Sequence, residues 1–327
     1  MTRKTLTEIA LLFPGQGSQS VGMGRALAHG SEAAASVFRI AGDALEEDIS
    51  HLAWEGPAED LDRTENAQPA LLATSIAYLR ALEETLARDG RSLPRTRFYA
   101  GHSMGQYSAM VAAGVLELSD AMRLVRERGR QMQASAPDGA MAAVIGLDKT
   151  RIPELEALGS AAGVLTIANR NSPGQIVLSG ERRAVEAAAE AARTLGAKRA
   201  IVLPVSVAAH SPLMARAAEI MTAVIAAVPF RDPSAPLLAN ANARPLTTGA
   251  ECRAELIDHL TRGVDWVRIG RTIEAAGVGL TVEVGPGKVL TGLMKRIAPG
   301  IRTVALDDPT STTGMTLPSF EPSPVTA

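Results

Sequence analysis

The sequence contains one cysteine, Cys252, and few aromatic residues, which make up 3% of its 327 positions. A single thiol excludes an internal disulfide and a metal site built from several thiolates. A reducing compartment fits this composition best, and we expect the protein in the cytoplasm. Because aromatic side chains are so scarce, the hydrophobic core must consist mainly of Ala, Val, Leu and Ile.

Long apolar segments are also missing. No run approaches the ~18 apolar residues that would span a bilayer. Residues 1–10 carry positive charge, but only the apolar stretch 11–13 follows before a turn rich in proline and glycine, so no signal peptide is predicted. We therefore expect no contact with a membrane.

A surplus of positive charge is absent as well, since 33 basic and 35 acidic residues give a net charge of -2. Proteins that bind nucleic acids usually need basic residues to neutralise phosphates, so no nucleic-acid partner is expected. Apolar residues make up 46% and charged residues 21% of the chain, which is typical of a globular protein and excludes a wholly disordered one.

Short apolar runs alternate along the chain with longer stretches of helical periodicity. The run Ile9–Phe13, ended by a proline and a glycine, predicts a buried parallel strand. Residues 67–86 have apolar side chains at helical spacing, and residues 97–100 form a further short strand before a glycine. This alternation predicts an α/β fold with a parallel sheet covered on both faces.

Residues 138–207 have a different rhythm, in the order βαββαβ that is typical of a ferredoxin-like unit. We expect this small subdomain to be inserted in a large one formed by residues 1–137 and 208–306, with a ligand-binding cleft between them. The tail, residues 307–327, is rich in Pro, Ser and Thr and is expected to be disordered. The predicted strands of the small subdomain are 140–147, 164–169, 175–179 and 199–205, and its helices are 150–158 and 182–195.

The stretch Gly101–Gly105, which reads GHSMG, fits the pattern G-x-S-x-G between a predicted strand and a predicted helix. A sharp strand-to-helix turn leaves no room for side chains beside the serine, and the helix N-terminus favours a developing oxyanion. This context predicts that Ser103 is a nucleophile. The alternative is a glycine-rich structural turn.

A serine nucleophile needs a base, and among the five histidines His210 is the best placed. It follows a predicted strand and precedes Ser211-Pro212, a helix-start signal, so it is expected at the carboxyl edge of the sheet. A structural loop histidine is the alternative. No acidic residue between Ser103 and His210 stands out as a third member, which favours a Ser–His dyad oriented by a backbone carbonyl.

Several further motifs occur together with the serine and histidine. They are Phe13–Gln19 (FPGQGSQ), Gly22–Gly24 (GMG), Gly101–Gly114 (GHSMGQYSAMVAAG), Arg128-Gly129, Asn171–Gln175 (NSPGQ), His210–Met214 (HSPLM) and Glu283–Leu293 (EVGPGKVLTGL). In this order, from about residue 8 to residue 306, they resemble the motifs of the malonyl-CoA:acyl carrier protein transacylases. The resemblance implies an α/β-hydrolase-like core.

The resemblance also implies roles for residues that the sequence alone leaves open. Arg128 matches the arginine that binds the free carboxylate of malonyl, a task for which a planar guanidinium is suited. Its position among alternating arginines is equally typical of a solvated helix face. Gln16 matches a glutamine beside the oxyanion hole, towards which the backbone N–H of Met104 also points. A loop glutamine of this kind is more often merely structural.

Several positions depart from the patterns of the family, and two of them are candidate site residues. The family orients its histidine through the main-chain carbonyl of a glutamine, and the aligned residue here is His259. A carbonyl contact does not depend on the side chain, so we expect catalysis to survive. Whether the side chain of His259 has a role of its own is left open, the alternative being a substituted helix residue. Ala209, immediately before His210, replaces the bulky aromatic or the serine of related domains, which predicts malonyl preference with leakage to methylmalonyl.

The function implied is ping-pong transfer of malonyl from malonyl-CoA to acyl carrier protein for fatty-acid synthesis, with neither metal nor cofactor. A basic rim that docks the acidic carrier protein is expected to include Arg126, Arg130, Lys295 or Arg296. The alternatives are a free-standing acyltransferase of a polyketide synthase, the transferase subunit of a malonate decarboxylase, an acyl hydrolase and a non-enzymatic docking protein.

Overall fold

The computed structural model describes residues 8–136, 138–205 and 207–306. The tail expected to be disordered lies outside these residues. The described chain folds into two β-sheets with helices packed on them, which confirms the predicted α/β class.

The larger sheet has six strands, which are β1 (Glu8–Phe13), β2 (Arg95–Gly101), β7 (Leu237–Leu238), β8 (Pro245–Leu246), β10 (Leu280–Glu283) and β11 (Arg302–Ala305). The strand order is β11-β10-β1-β2-β7-β8, and all neighbours are parallel except β7 and β8. The strand β1, which corresponds to the first predicted strand, lies near the centre of the sheet.

The smaller sheet has the strand order β6-β3-β5-β4-β9. Its first four strands pair antiparallel, whereas β9 lies parallel to β4. The fifth strand comes from outside the predicted insertion, because β9 belongs to the segment that follows His210. The strands are β3 (Gly139–Ile145), β4 (Leu165–Ser172), β5 (Gln175–Glu181), β6 (Arg199–Val202) and β9 (Val264–Asp265).

Both faces of the larger sheet are covered by helices. Successive residues of β1 alternate between two hydrophobic clusters, with Leu11 and Phe13 in one and Ala10 and Leu12 in the other, as a parallel strand buried on both faces requires. The helices of the chain are α1 (Arg25–Gly30), α2 (Glu32–Leu45), α3 (Ile49–Glu55), α4 (Ala58–Leu61), α5 (Thr64–Arg88), α6 (Gly105–Ala112), α7 (Leu118–Ser135), α8 (Ile152–Ser160), α9 (Arg182–Thr194), α10 (Ala215–Ala226), α11 (Gly249–Asp258), α12 (Trp266–Ala275) and α13 (Val289–Ile297).

The helices α5 and α7 approach each other closely at Gly129. A Cβ added there would lie 2.5 Å from the Cα of Glu65, a distance that no real Cβ contact allows. The absence of a side chain therefore sets the separation of the two helices. Arg128, the residue before this glycine, and Gln68 of α5 are both buried beside the contact.

Within the residues that the structure describes, no helix is long and apolar enough to cross a membrane.

The close approach at Gly129 yields a stability prediction. Gly129→Ala forces α5 and α7 apart, and overpacking of this kind costs about 1–3 kcal/mol of the free energy of unfolding, which outweighs the gain in helix propensity. Urea unfolding followed by circular dichroism measures the change.

The matched control is Gly292→Ala in α13, where no described atom lies within 4 Å of the added Cβ apart from adjacent residues and the backbone of the same helix. Alanine there gains up to about 1 kcal/mol from helix propensity alone. A Gly129→Ala variant as stable as Gly292→Ala would contradict the packing argument.

Candidate active site

The turn between β2 and α6 is packed so tightly that its glycines cannot be replaced without movement of the backbone. A Cβ added to Gly101 would lie 2.0 Å from the carbonyl carbon of Gly105, and one added to Gly105 would lie 2.2 Å from the carbonyl oxygen of Phe13. Gly15 makes a similar approach, since its Cβ would lie 2.4 Å from the carbonyl oxygen of His102. The two glycines of G-x-S-x-G thus have a steric reason, and the loop after β1 lies against the turn.

Ser103 occupies the left-handed backbone region, with φ at 52°. A residue other than glycine is strained there and needs support from its surroundings. Asn240, buried just after β7, supplies it by accepting a hydrogen bond from the Ser103 N–H at 2.9 Å and donating one to the carbonyl of Gly101 at 3.0 Å. A carboxylate oxygen of Glu255 accepts the Asn240 N–H at 2.6 Å. The amide side chain therefore bridges both ends of the turn.

His210 lies directly opposite the serine. Its Nε2 is 2.8 Å from the Oγ of Ser103, and its Nδ1 is 2.7 Å from the carbonyl oxygen of His259 and 2.8 Å from that of Arg262. Because a carbonyl only accepts, Nδ1 carries the proton and Nε2 is free to accept one from the serine. The backbone of His210 is also left-handed, with φ at 58°.

The surroundings of His210 keep its imidazole neutral. Burial and the charge of Arg128 lower the pKa of His210 to about 4, and the hydrogen bonds to the two carbonyls offset only part of this effect. A histidine with this pKa is unprotonated at neutral pH, as a general base must be.

Arg128 projects from α7 towards the serine and is only 1% exposed. Its Nη1 donates to Gln68 at 2.6 Å, and its Nη2 donates to Ser103 Oγ at 3.2 Å and lies 3.1 Å from the Nε2 of His259. Burial lowers the pKa of Arg128 to about 10, which leaves the guanidinium charged at pH 7. No carboxylate pairs with it among the described residues, so the cation has only neutral partners.

The two groups expected around an oxyanion lie close to the turn. Met104 follows Ser103 at the start of α6, where the first amides of a helix have no partner within the helix. Gln16 belongs to the loop that contacts His102 through Gly15, and its side-chain amide donates to Thr64 at 3.1 Å. The N–H of Met104 therefore lies at the residue next to Ser103, whereas the side-chain amide of Gln16 is engaged by Thr64.

Ala209 is buried immediately before His210, and the two residues that precede it, Val207 and Ala208, are buried as well. The residue that precedes His210 in the chain therefore contributes a methyl group rather than a bulky side chain.

The comparisons with known proteins agree with this geometry. Residues 10–296 match the family described as "Acyl transferase domain". The chain is 42% identical over 308 residues to the malonyl CoA-acyl carrier protein transacylase of Bacillus subtilis, covering 93% of this chain and 95% of that protein.

The chain belongs to the malonyl-CoA:acyl carrier protein transacylase family. Solved structures with the same fold include an acyl-carrier-protein S-malonyltransferase from Bartonella henselae, which is 43% identical with a TM-score of 0.87 and covers 91% of this chain and 95% of that one. A malonyl-transacylase solved with a type II polyketide synthase acyl carrier protein is 38% identical with a TM-score of 0.88, covering 94% and 98% of the two chains.

Two residues that support the transacylase site were not predicted from the sequence. Asn240 lies two residues after β7, at the carboxyl edge of the larger sheet, and a polar residue directly after an apolar run is the signal that could have found it. Gln68 is a fully buried polar side chain in an apolar helix. Its amide binds Arg128 on one side and the sulfur of Met132 at 3.5 Å on the other.

The prediction that Arg126 belongs to a basic rim that docks the carrier protein is wrong. This side chain is buried, pairs with Glu47 and donates to the backbone carbonyl of Glu65, so it cannot reach a partner protein. Arg130, Lys295 and Arg296 are exposed. Arg126 points away from solvent because α7 packs on α5 along this part of its length.

Groups of three or more His, Cys, Asp or Glu side chains that could hold a metal ion do not occur among residues 8–136, 138–205 and 207–306. Cys252 is buried, and burial raises the pKa of its thiol to about 12.

The lowered pKa of His210 predicts the pH dependence of serine reactivity. Below its folded-state pKa the imidazole is protonated and cannot accept the serine proton, so reactivity is lost only as the pH falls towards about 4. The measurement is the rate at which diisopropyl fluorophosphate, a neutral reagent, modifies Ser103 between pH 4 and 8. Arg128→Met removes one cause of the lowered pKa and moves the midpoint upwards.

The pKa of His210 is lower in the folded protein than in the unfolded chain, so the unfolded chain binds a proton at a higher pH. The free energy of unfolding therefore decreases as the pH falls below about 6.5. Circular dichroism at each pH therefore confirms that the folded state is being assayed. A wild-type midpoint at 6.5 or above would show that His210 is not held neutral in this way.

Proposed function

We propose that this chain transfers a malonyl group from malonyl-CoA to the phosphopantetheine thiol of acyl carrier protein for fatty-acid synthesis. The observation that carries the proposal is the single cluster of Ser103, His210 and Arg128. The serine oxygen lies within hydrogen-bond distance of a neutral histidine and of a buried arginine that has no carboxylate partner among the described residues. A nucleophile and a binding site for a carboxylate are thus side by side.

In the first half-reaction the Oγ of Ser103 attacks the thioester carbonyl carbon while its proton passes to Nε2 of His210. The backbone N–H of Met104 donates to the oxyanion that develops, and Gln16 provides a second donor. When the tetrahedral intermediate collapses, the carbon–sulfur bond breaks and the coenzyme A sulfur takes the proton from His210. The products are malonyl-Ser103 and free coenzyme A.

The second half-reaction reverses these steps with a different thiol. His210 accepts the proton of the phosphopantetheine thiol, the sulfur attacks the malonyl ester, and Ser103 leaves with the proton from His210. Because coenzyme A departs before the carrier protein reacts, the kinetics are ping-pong. The steps use protein groups and thioester substrates alone, and we propose no metal or cofactor.

Arg128 selects an acyl group that carries a carboxylate. Its guanidinium is desolvated and has neutral partners, so the malonyl carboxylate supplies the missing opposite charge. An acetyl group would leave the buried cation unpaired, which makes acetyl-CoA a poor substrate.

The subdomain assignments belong to the same proposal. The strand order β6-β3-β5-β4, with helices after the first and third strands in sequence, supports a ferredoxin-like small subdomain spanning residues 138–207. The parallel larger sheet with the serine turn after β2 supports an α/β-hydrolase-like subdomain made of residues 1–137 and 208–306. The catalytic cluster joins Ser103 and His210 of the large subdomain, and Asn171 of the small one contacts His102 at 2.9 Å.

The carrier protein is acidic, and we propose that Arg130, Lys295 and Arg296 contribute to the surface that docks it. The single cysteine fits the cytoplasm, where thiols stay reduced. A carrier protein of polyketide synthesis is the second candidate acceptor, because a structurally similar malonyl-transacylase was solved with such a partner.

Intact-protein mass spectrometry tests the proposed function. After brief mixing with equal malonyl-, methylmalonyl- and acetyl-CoA, the wild type should gain mainly a malonyl adduct, and Ser103→Ala should gain none. Addition of carrier protein, from either pathway in parallel, should discharge the adduct. Release of coenzyme A without an adduct would point to a hydrolase, and the absence of both would contradict the proposal.

The small side chain of Ala209 predicts incomplete exclusion of methylmalonyl-CoA. A missing side chain removes a steric barrier worth about 1–3 kcal/mol. In competition assays we expect a methylmalonyl adduct at a minor but measurable level, and Ala209→Phe should suppress it. Complete exclusion of methylmalonyl by the wild type would refute this prediction.

A further inference from the structure

The side chain of His259 makes a contact that its backbone role does not require. Its backbone carbonyl binds Nδ1 of His210, while its ring nitrogen Nε2 lies 3.1 Å from the Nη2 of Arg128. His259 is only 2% exposed and packs edge-on against Tyr107 at a ring separation of 5.9 Å. One residue at the end of α11 therefore touches both the base and the arginine.

The chemistry of this pair determines the form of the ring. A guanidinium has only donors, so Nε2 of His259 must accept and the imidazole proton sits on Nδ1. Burial and the charge of Arg128 both lower the pKa of His259 well below its usual value, which keeps the ring neutral. Nδ1 is buried without a hydrogen-bond partner among the described residues, so the contact with Arg128 is the polar contact that the ring retains.

The geometry around Arg128 shows what this acceptor does. Gln68 holds Nη1 from one side and His259 holds Nη2 from the other, whereas the buried Nε has no partner among the described residues. Two neutral acceptors thus fix the plane of the guanidinium without neutralising its charge. An acidic residue in either position would pair with the arginine and compete with a substrate carboxylate.

We infer that the imidazole of His259 is a positioning residue for Arg128 and contributes to selectivity for acyl groups that carry a carboxylate. This inference rests on the proposed function. The hydrogen bond of the side chain is to the arginine, whereas the backbone carbonyl of the same residue binds His210. The ring also lies 6.2 Å from the ring of His210, so the rates that depend on His210 are measured beside malonylation.

Two substitutions separate these roles. His259→Leu keeps the backbone carbonyl but removes the acceptor, and His259→Gln keeps both, because its side-chain oxygen can accept from a guanidinium. Three rates are measured for each variant: the kcat/KM for acylation by malonyl-CoA, the kcat/KM for acylation by acetyl-CoA, and the rate of Ser103 modification by diisopropyl fluorophosphate. The last two need Ser103 and His210 but no carboxylate site.

His259→Leu should lower the kcat/KM for malonyl-CoA by about tenfold to a hundredfold, the loss typical of a hydrogen bond to a charged group. The rates with acetyl-CoA and the fluorophosphate should change by less than about threefold, and His259→Gln should restore malonylation. Thermal unfolding establishes that both variants are folded. Malonylation by the wild type in the same assay tests the proposed function separately.

Three results would overturn the inference. Equal losses of all three rates would mean that the substitution acts through His210 or the fold. Unchanged malonylation by His259→Leu would mean that the contact is dispensable. A His259→Gln variant as defective as His259→Leu would mean that an acceptor at this position is not what matters.

Discussion

The positive charge of Arg128, buried with neutral partners, is the constraint on which the rest of the site depends. Removing a guanidinium from water costs several kcal/mol unless it is paired, so the fold must support this charge by other interactions. Gln68 and His259 accept its hydrogen bonds, and the missing side chain at Gly129 lets α5 approach closely enough for Gln68 to do so. In the function we propose, a carboxylate of the substrate would supply the opposite charge that these neutral partners do not.

Burial and this charge together determine the protonation of the neighbouring groups. Burial lowers the pKa values of His210 and His259, and the charge of Arg128 lowers them further. Burial raises the pKa of Tyr107 to about 12 against the opposing effect of Arg128, which keeps that phenol neutral. The groups around Arg128 are therefore neutral without exception among the described residues. In the function we propose, a substrate carboxylate entering this site would meet one cation and no competing anion from the described residues.

The sequence predicted the parts of the site that depend on local rules. A serine between glycines, after a strand and before a helix, is expected in a sharp strand-to-helix turn. His210 precedes the helix-start signal Ser211-Pro212, which places it at the same edge of the sheet. The order of strands and helices followed from hydrophobic periodicity. Each of these signals lies within about fifteen residues of chain.

What could not be predicted depends on contacts between distant segments. Asn240 lies 137 positions from Ser103, yet its amide holds the serine turn. Arg126 and Arg128 belong to one alternating run of arginines, but both are buried, and only the packing of α7 on α5 determines that one pairs with Glu47 and the other faces the serine. The strand β9 joins the small sheet through pairing with β4, which periodicity over two residues cannot reveal.

The orientation of His210 by carbonyl groups follows from the same electrostatic constraint. A carboxylate at the position of the His259 and Arg262 carbonyls would stabilise the imidazolium and raise the pKa of the base. It would also add a negative charge to the surroundings of Arg128, which in the proposed function would reduce the attraction for a malonyl carboxylate. Two carbonyl oxygens fix the tautomer equally well while adding no net charge. A Ser–His dyad therefore orients His210 and leaves the buried arginine free of an anionic partner, as the proposed function requires.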